Sequence, residues 1–186
     1  MNKTLKTALI VGGAVVGAAA YALIDRTIDA PRTVDSVDLA RYAGLWYEIA
    51  RYPNRFQRQC AGEVTATYSL SGKGKLKVVN ACRKIDGTLE RSEATARVVD
   101  KRTNAKLKVS FFWLIPGDYW ILDLGGDYEY AVVGEPTRRY LWILSRTPQI
   151  AETKYHEIIT RLEARGFDTA KMVRTRQQTG KPAVMS

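Results

Sequence analysis

The feature that most limits how this chain can fold is a spacing. Short alternating or β-branched runs recur roughly every ten residues, over 45–52, 63–70, 75–83, 90–99, 105–113, 118–124, 128–134 and 140–146. The stretches between them (SGKGK, KIDGT, DKRTN, IPGD, LGGD and GEPTRR) are rich in turn formers and too short to carry a crossover helix. Consecutive strands are therefore antiparallel neighbours in an up-and-down meander. Such a meander removes its exposed edges by closing on itself. The expectation is an all-β, eight-stranded antiparallel barrel, whose interior at that size just holds side chains or one small ligand.

Helical patterns flank the meander. SVDLARYAG suggests a short turn capped by Ser36 or Asp38 and ended by Gly44. Near the C-terminus, Tyr155, Ile158, Ile159 and Leu162 fall on one helical stripe, with Gly166 as a left-handed stop and Phe167 as the apolar residue after it. That helix is expected to pack outside the barrel, followed by a ninth short strand around 171–176.

Before the barrel, Lys3 and Lys6 precede an apolar run of seventeen residues from Ala8 to Ile24, closed by Asp25 and Arg26. Its length lies between a cleaved signal and a membrane span, so residues 1–30 are expected to be a signal peptide or an N-terminal anchor, with the domain exported. The domain itself is expected over 31–180, with 181–186 a tail. Three basic and two acidic residues lie in the first thirty, so nine of the ten net positive charges belong to the domain. This basicity favours anionic surfaces such as a membrane. It is spread along the chain, with no block of five consecutive basic residues, as in an ordinary soluble surface.

Export changes the reading of the two cysteines. Folding the hairpin around SGKGK brings the vicinity of Cys60 opposite 83–85, so Cys82 comes within disulfide reach once a bulge is allowed. Two buried thiols are the alternative. With two cysteines and one histidine, a Cys/His zinc site is not expected, nor any other metal or cofactor.

Catalytic signatures are missing from the sequence. His156, the one histidine, lies on the charged side of the C-terminal helix, and there is no nucleophile elbow, phosphate loop, paired-histidine motif or dinucleotide fingerprint. Glu48 is a lone acid without a legible partner base. No catalytic residue is assigned, and nucleic acid is not an expected partner, because the rings sit mainly on the apolar sides of strands.

Strand parity points to a lumen instead. Val64, Ala66 and Tyr68 share one face, Leu76, Val78 and Asn80 another, and Trp142 lines up with Leu144. LKVSFFWLI and YWILDL are apolar on both faces, so parity does not choose between Phe111 and Phe112 or between Tyr119 and Trp120. The candidate lining is Val64, Ala66, Tyr68, Val78, Asn80, Phe111, Tyr119, Tyr130 and Trp142. The mixture of small, aromatic and polar residues suits an apolar pocket better than a solid core.

Three ordered segments resemble the lipocalin signatures. Gly44-Leu45-Trp46 with YEIARYPNRFQ is similar to the G-x-W motif, GGDYEYAVVGEP (125–136) to the second, and YLWILSRTP (140–148) with Arg146 to the third. WYEIARYPNRFQ, VTATYSL, LKVSFF and YLWILSRTP together look most like the bacterial outer-membrane lipoprotein group, related to apolipoprotein D. The resemblance implies a calyx that binds fatty acids or lysophospholipids and stores or transports them in the bacterial envelope under stress. A lipocalin-fold enzyme acting on a small hydrophobic molecule is the alternative, and a free thiol at Cys82 would favour it. The resemblance also implies that Gly44, Trp46 and Arg146 are structural, with Arg146 packed across the indole at the barrel floor. The lipidated cysteine of that group has no counterpart before Cys60. The expectation is accordingly a periplasmic domain, free or held by its N-terminal segment, with the monomer or dimer state open.

Overall fold

A computed structural model describes residues 30–111 and 116–178. Residues 1–29 of the expected export segment, the tail at 181–186 and Phe112 lie outside the described residues. The strands are β1 (Gly44–Arg51), β2 (Cys60–Leu70), β3 (Lys75–Lys84), β4 (Leu89–Val98), β5 (Lys106–Phe111), β6 (Gly117–Leu124), β7 (Tyr130–Gly134) and β8 (Leu141–Ser145). Each pairs antiparallel with the next, and β1 pairs with both β8 and β2, so the meander closes into a barrel. Short helix α1 (Leu39–Tyr42) precedes the barrel, and α2 (Glu152–Ala164) and β9 (Val173–Arg174) follow it.

The flanking elements form where local chemistry calls for them. Asp38 caps α1 by accepting from the amides of Ala40 and Arg41 at 2.8 and 3.3 Å. The α2 stripe buries Ile158 and Leu162 against Ile49, Leu122, Val132 and Ile143 on the outer face of the barrel. At its end the amide of Phe167 donates to Leu162 and that of Gly166 to Glu163, a Schellman closure with Gly166 at φ +77°.

Chain direction assigns the two ends. The N-terminal segment and the turns after β2, β4 and β6 gather at one end, the floor, where Val34 donates to Ile121 O and Val37 to Thr103 O. The turns after β1, β3, β5 and β7 form the opposite end, the mouth.

The seam between β1 and β2 is closed in two parts. Near the floor the strands pair directly, Gly44–Tyr47 against Thr65–Tyr68. Toward the mouth they diverge and the segment 173–177 runs between them. Thr175 N donates to Ile49 O at 2.9 Å, and Glu63 N donates to Arg176 O at 2.7 Å. A Cβ on Gly62 would stand 2.6 Å from Arg176 O, so this close approach requires glycine.

Candidate functional site

The floor is built around Trp46, fully buried, whose Nε1 donates to Tyr42 O at 2.8 Å. Arg146 lies across the outer side of the indole, its guanidinium carbon 3.8 Å from the ring centroid. Its nitrogens donate to the carbonyls of Arg41, Tyr42, Leu45 and Tyr128 at 2.6 to 3.3 Å, tying α1, β1 and the turn after β6 together. Burial pulls the Arg146 pKa below its ordinary value, partly countered by Tyr42. It stays a cation at any pH the fold meets.

Above the floor, inward-facing side chains form one cluster that includes Tyr42, Trp46, Tyr68, Leu76, Val78, Ala96, Leu107 and Ile121, with Ala66, Val109, Phe111, Tyr119 and Trp142 packed against it. Of the sequence-predicted lining, the structure brings Ala66, Tyr68, Val78, Phe111, Tyr119 and Trp142 together here. Asn80 pairs with Ala66 and is partly exposed. Tyr119 faces inward, whereas its neighbour Trp120 packs on the helix side beneath Lys106, 4.2 Å from the ring centroid.

Exposure along this inner face is graded. Leu76, Ala96, Leu107 and Ile121, near the floor, are closed to solvent at 2% or less. Asn80, Val109, Phe111 and Trp142, one or two steps nearer the mouth on the same strand faces, are partly exposed. The inner face is thus a cup sealed below and accessible above.

Two predicted residues lie elsewhere. Tyr130 is on the outer face under α2, where its hydroxyl receives Arg161 Nη2 at 2.8 Å and lies 3.4 Å from Asp123 Oδ1. It is the first residue of β7, and the alternation of that strand puts Ala131 and Val133 inside. Val64 is buried but belongs to neither apolar cluster. It follows Glu63, which takes φ +50° in an irregular stretch of β2, so simple parity fails there.

The sequence reading missed a polar group on the inner wall. Glu48 is 2% exposed, faces inward like Trp46, and accepts from Arg51 Nη1 and Gln57 Nε2, each at 2.6 Å, and from Thr175 Oγ1. Gln57 Oε1 in turn accepts from Trp142 Nε1 at 3.0 Å and Asn54 Nδ2 at 2.7 Å. Arg51 reaches Glu48 because a bulge between Glu48 and Ala50 turns it to the same side. That bulge, and the arrival of Thr175 from the far end of the chain, left no local sequence signal.

Cys60 and Cys82 form a disulfide, Cα atoms 5.7 Å apart, joining the start of β2 to β3 near the mouth. The thiol that would favour an enzymatic reading is therefore consumed. His156 is on the surface, its Nδ1 2.7 Å from Glu152 O. Among the described residues no cluster of acidic, cysteine or histidine side chains is arranged to hold a metal. A separate cavity of about 430 Å³ lies on the outer surface beside Tyr52, Arg138, Arg139, Phe167 and Lys171, and shares no lining with the cup.

Comparison with known proteins agrees with this architecture. Residues 37–177 match the model of the lipocalin-like domain family. The outer membrane lipoprotein Blc of Escherichia coli (strain K12) is 43% identical over 145 residues, which are 77% of this chain and 81% of that one. Temperature-induced lipocalin-1 of Arabidopsis thaliana is 38% identical over 157 residues, 80% and 84% of the two chains. Apolipoprotein D of Rattus norvegicus is 35% identical over 162 residues, 82% of each. Among solved structures, insecticyanin from the tobacco hornworm Manduca sexta superposes with a TM-score of 0.66 at 22% identity, covering 80% of this chain and 85% of that one, a likeness of fold. With its floor of Gly44, Trp46 and Arg146, its eight-stranded cup and its outer helix, the chain belongs to the lipocalin family.

Proposed function

We propose that this protein binds and carries an amphiphilic lipid, a fatty acid or lysophospholipid, in the bacterial cell envelope. The observation that carries the reading is the graded cup: apolar inner faces sealed at Trp46, Leu76 and Ile121 and accessible at Val109, Phe111 and Trp142. A chain of about eighteen carbons, at about 0.8 kcal/mol per buried methylene, offsets the costs of association and leaves micromolar affinity.

The rim suits a ligand drawn from a bilayer. Phe56 is 47% and Ile85 80% exposed on turns at the mouth, beside the exposed cations Arg55 and Arg58. Apolar tips flanked by arginines favour an anionic membrane surface and a phosphate or carboxylate headgroup at the opening. Lys108 is paired with Asp118 at 2.8 Å on the strand face opposite the inward positions Leu107 and Val109, so it is no headgroup contact.

The disulfide fits an oxidising compartment, and the similarity to a bacterial outer membrane lipoprotein supports the envelope as the site of action. Among the described residues no helix is long and apolar enough to cross a membrane. Native mass spectrometry after mild extraction is expected to find the protein with a bound lipid. A protein that neither carries a lipid nor takes up added fatty acid or lysophospholipid would overturn the proposal.

A further inference from the structure

Three tyrosines meet low in the cup. Tyr42 from α1, Tyr68 from β2 and Tyr119 from β6 join through their hydroxyls, with Tyr119 in the middle, 2.7 Å from Tyr42 and 2.8 Å from Tyr68. The rings pack against the floor, Tyr42 with its centroid 5.1 Å from Trp46 and 5.4 Å from Tyr68. Around them the inner face is apolar, with Val78, Ala94, Leu107 and Val109 in the same cluster.

The hydrogen count does not close. Three phenols bring three O–H donors, and two hydrogen bonds use two of them. No other acceptor within hydrogen-bond distance of these hydroxyls occurs among the described residues. Among the described residues one donor is therefore left over; once an apolar chain fills the cup it has no acceptor among them, and an unmade hydrogen bond there is costly. Tyr42 and Tyr68 are 1% and 5% exposed, whereas Tyr119 keeps accessible surface. The arrangement that fits has Tyr42 and Tyr68 donating to the Tyr119 oxygen while the Tyr119 O–H turns into the lumen. A hydroxyl that accepts two hydrogen bonds donates a stronger one.

We infer that Tyr119, held by Tyr42 and Tyr68, is a donor subsite for a neutral acceptor oxygen on the buried end of the ligand, so that the cup prefers acyl chains carrying a ketone or similar carbonyl near the tip over saturated chains. The inference rests on the lipid-carrier reading and names the chemistry of the end that enters first. A methyl terminus leaves the donor unmet. A carboxylate satisfies it only by burying an anion, and the guanidinium at the floor, Arg146, lies across Trp46 with its nitrogens on backbone carbonyls. Burial also keeps all three phenols neutral, and therefore donors, well above physiological pH.

The test is displacement of a bound fluorescent fatty acid by octadecanoic acid and by the same chain bearing a ketone near its methyl end. The oxo acid is expected to bind the wild type about five- to tenfold tighter, the ratio one hydrogen bond supplies. The preference is expected to fall below about twofold in Tyr119→Phe and to persist in Tyr130→Phe, whose ring lies outside the barrel under α2. Equal affinities in the wild type, or a preference that survives Tyr119→Phe, would overturn the subsite and leave the carrier reading standing. Failure of both acids to bind would instead defeat the carrier reading. Should Tyr119→Phe not fold, infrared spectra of the carbonyl-labelled oxo acid on wild-type protein decide the matter. A ketone stretch shifted below its value in hexane supports the subsite, and an unshifted stretch rejects it.

Discussion

A Cβ added to Gly44 would stand 3.2 Å from Nη1 of Arg146, the nitrogen that donates to Leu45 O. Gly44 also sits at φ +100°, a conformation that L side chains rarely adopt. The signature glycine is therefore required twice, by its backbone and by the guanidinium folded over it. Gly44→Ala is expected to destabilise the protein by about 2–3 kcal/mol in denaturant titration. Gly166→Ala, at φ +77° but with open space around it, is expected to cost only about 1 kcal/mol. Equal losses at the two positions would show that the contact with Arg146 contributes nothing.

The buried tyrosines set an alkaline limit on stability. Burial raises the pKa of Tyr68 to about 12 and holds Tyr42 and Tyr119 well above the ordinary phenol value, the latter two with added repulsion from neighbouring phenols. A group whose pKa is raised by folding contributes stability in full below the unfolded value, near 10, and loses it as pH rises through the folded value. The fold is thus expected to be insensitive to these groups up to about pH 10 and to weaken between about pH 10 and 12. Phenolate absorbance should rise in two stages, the second coinciding with loss of near-ultraviolet circular dichroism. A single early transition of all ten tyrosines would contradict the buried network.

The disulfide spans 22 residues of sequence. Closing a loop of that length in the unfolded chain is worth about 3 kcal/mol, and the link joins two strands at the accessible end of the cup. A Cys60→Ser/Cys82→Ser variant is expected to lose about that much in chemical unfolding while keeping its strand content by circular dichroism. The loss is expected to match that of reduced wild-type protein.

Strand count, strand order, the outer helix and the closed floor were legible because each depends on a local signal: alternation, turn residues, the stripe of Ile158 and Leu162, and the Gly44–Trp46 and Arg146 motifs. The inner face was legible where strands are regular, at Ala66, Tyr68 and Val78. It was not at Val64, beside a residue with positive φ, or at Tyr130, where the first residue of a strand carries the opposite parity from the one assumed. The Tyr42–Tyr119–Tyr68 chain and the Glu48 network were invisible for another reason. Their members lie 51 to 127 residues apart in three contacts, and no local pattern reports such meetings.

Glu48 supplies the remaining prediction. Its carboxylate is 2% exposed and pairs with Arg51, itself mostly buried, while taking the Thr175 hydroxyl from the segment that fills the β1–β2 seam. Glu48→Gln keeps the shape but removes the charge opposite Arg51 and turns an NH2 toward one of three donors. Breaking a buried, hydrogen-bonded ion pair on one side leaves the other ion uncompensated, and the expected cost is about 3 kcal/mol. Because the Thr175 hydroxyl is anchored on the Glu48 carboxylate, while Gln177 holds only to the backbone carbonyls of Glu48 and Val64, the substitution is also expected to loosen 173–177 in the seam. Limited trypsin digestion should then cut after Arg174 or Arg176 at conditions under which the wild type resists. Thr175→Val, which deletes one hydroxyl and leaves the ion pair intact, is expected to increase cleavage with a stability loss of about 1 kcal/mol. If Glu48→Gln lowers stability without exposing those arginines, the carboxylate supports the wall alone and the seam is held by its backbone hydrogen bonds.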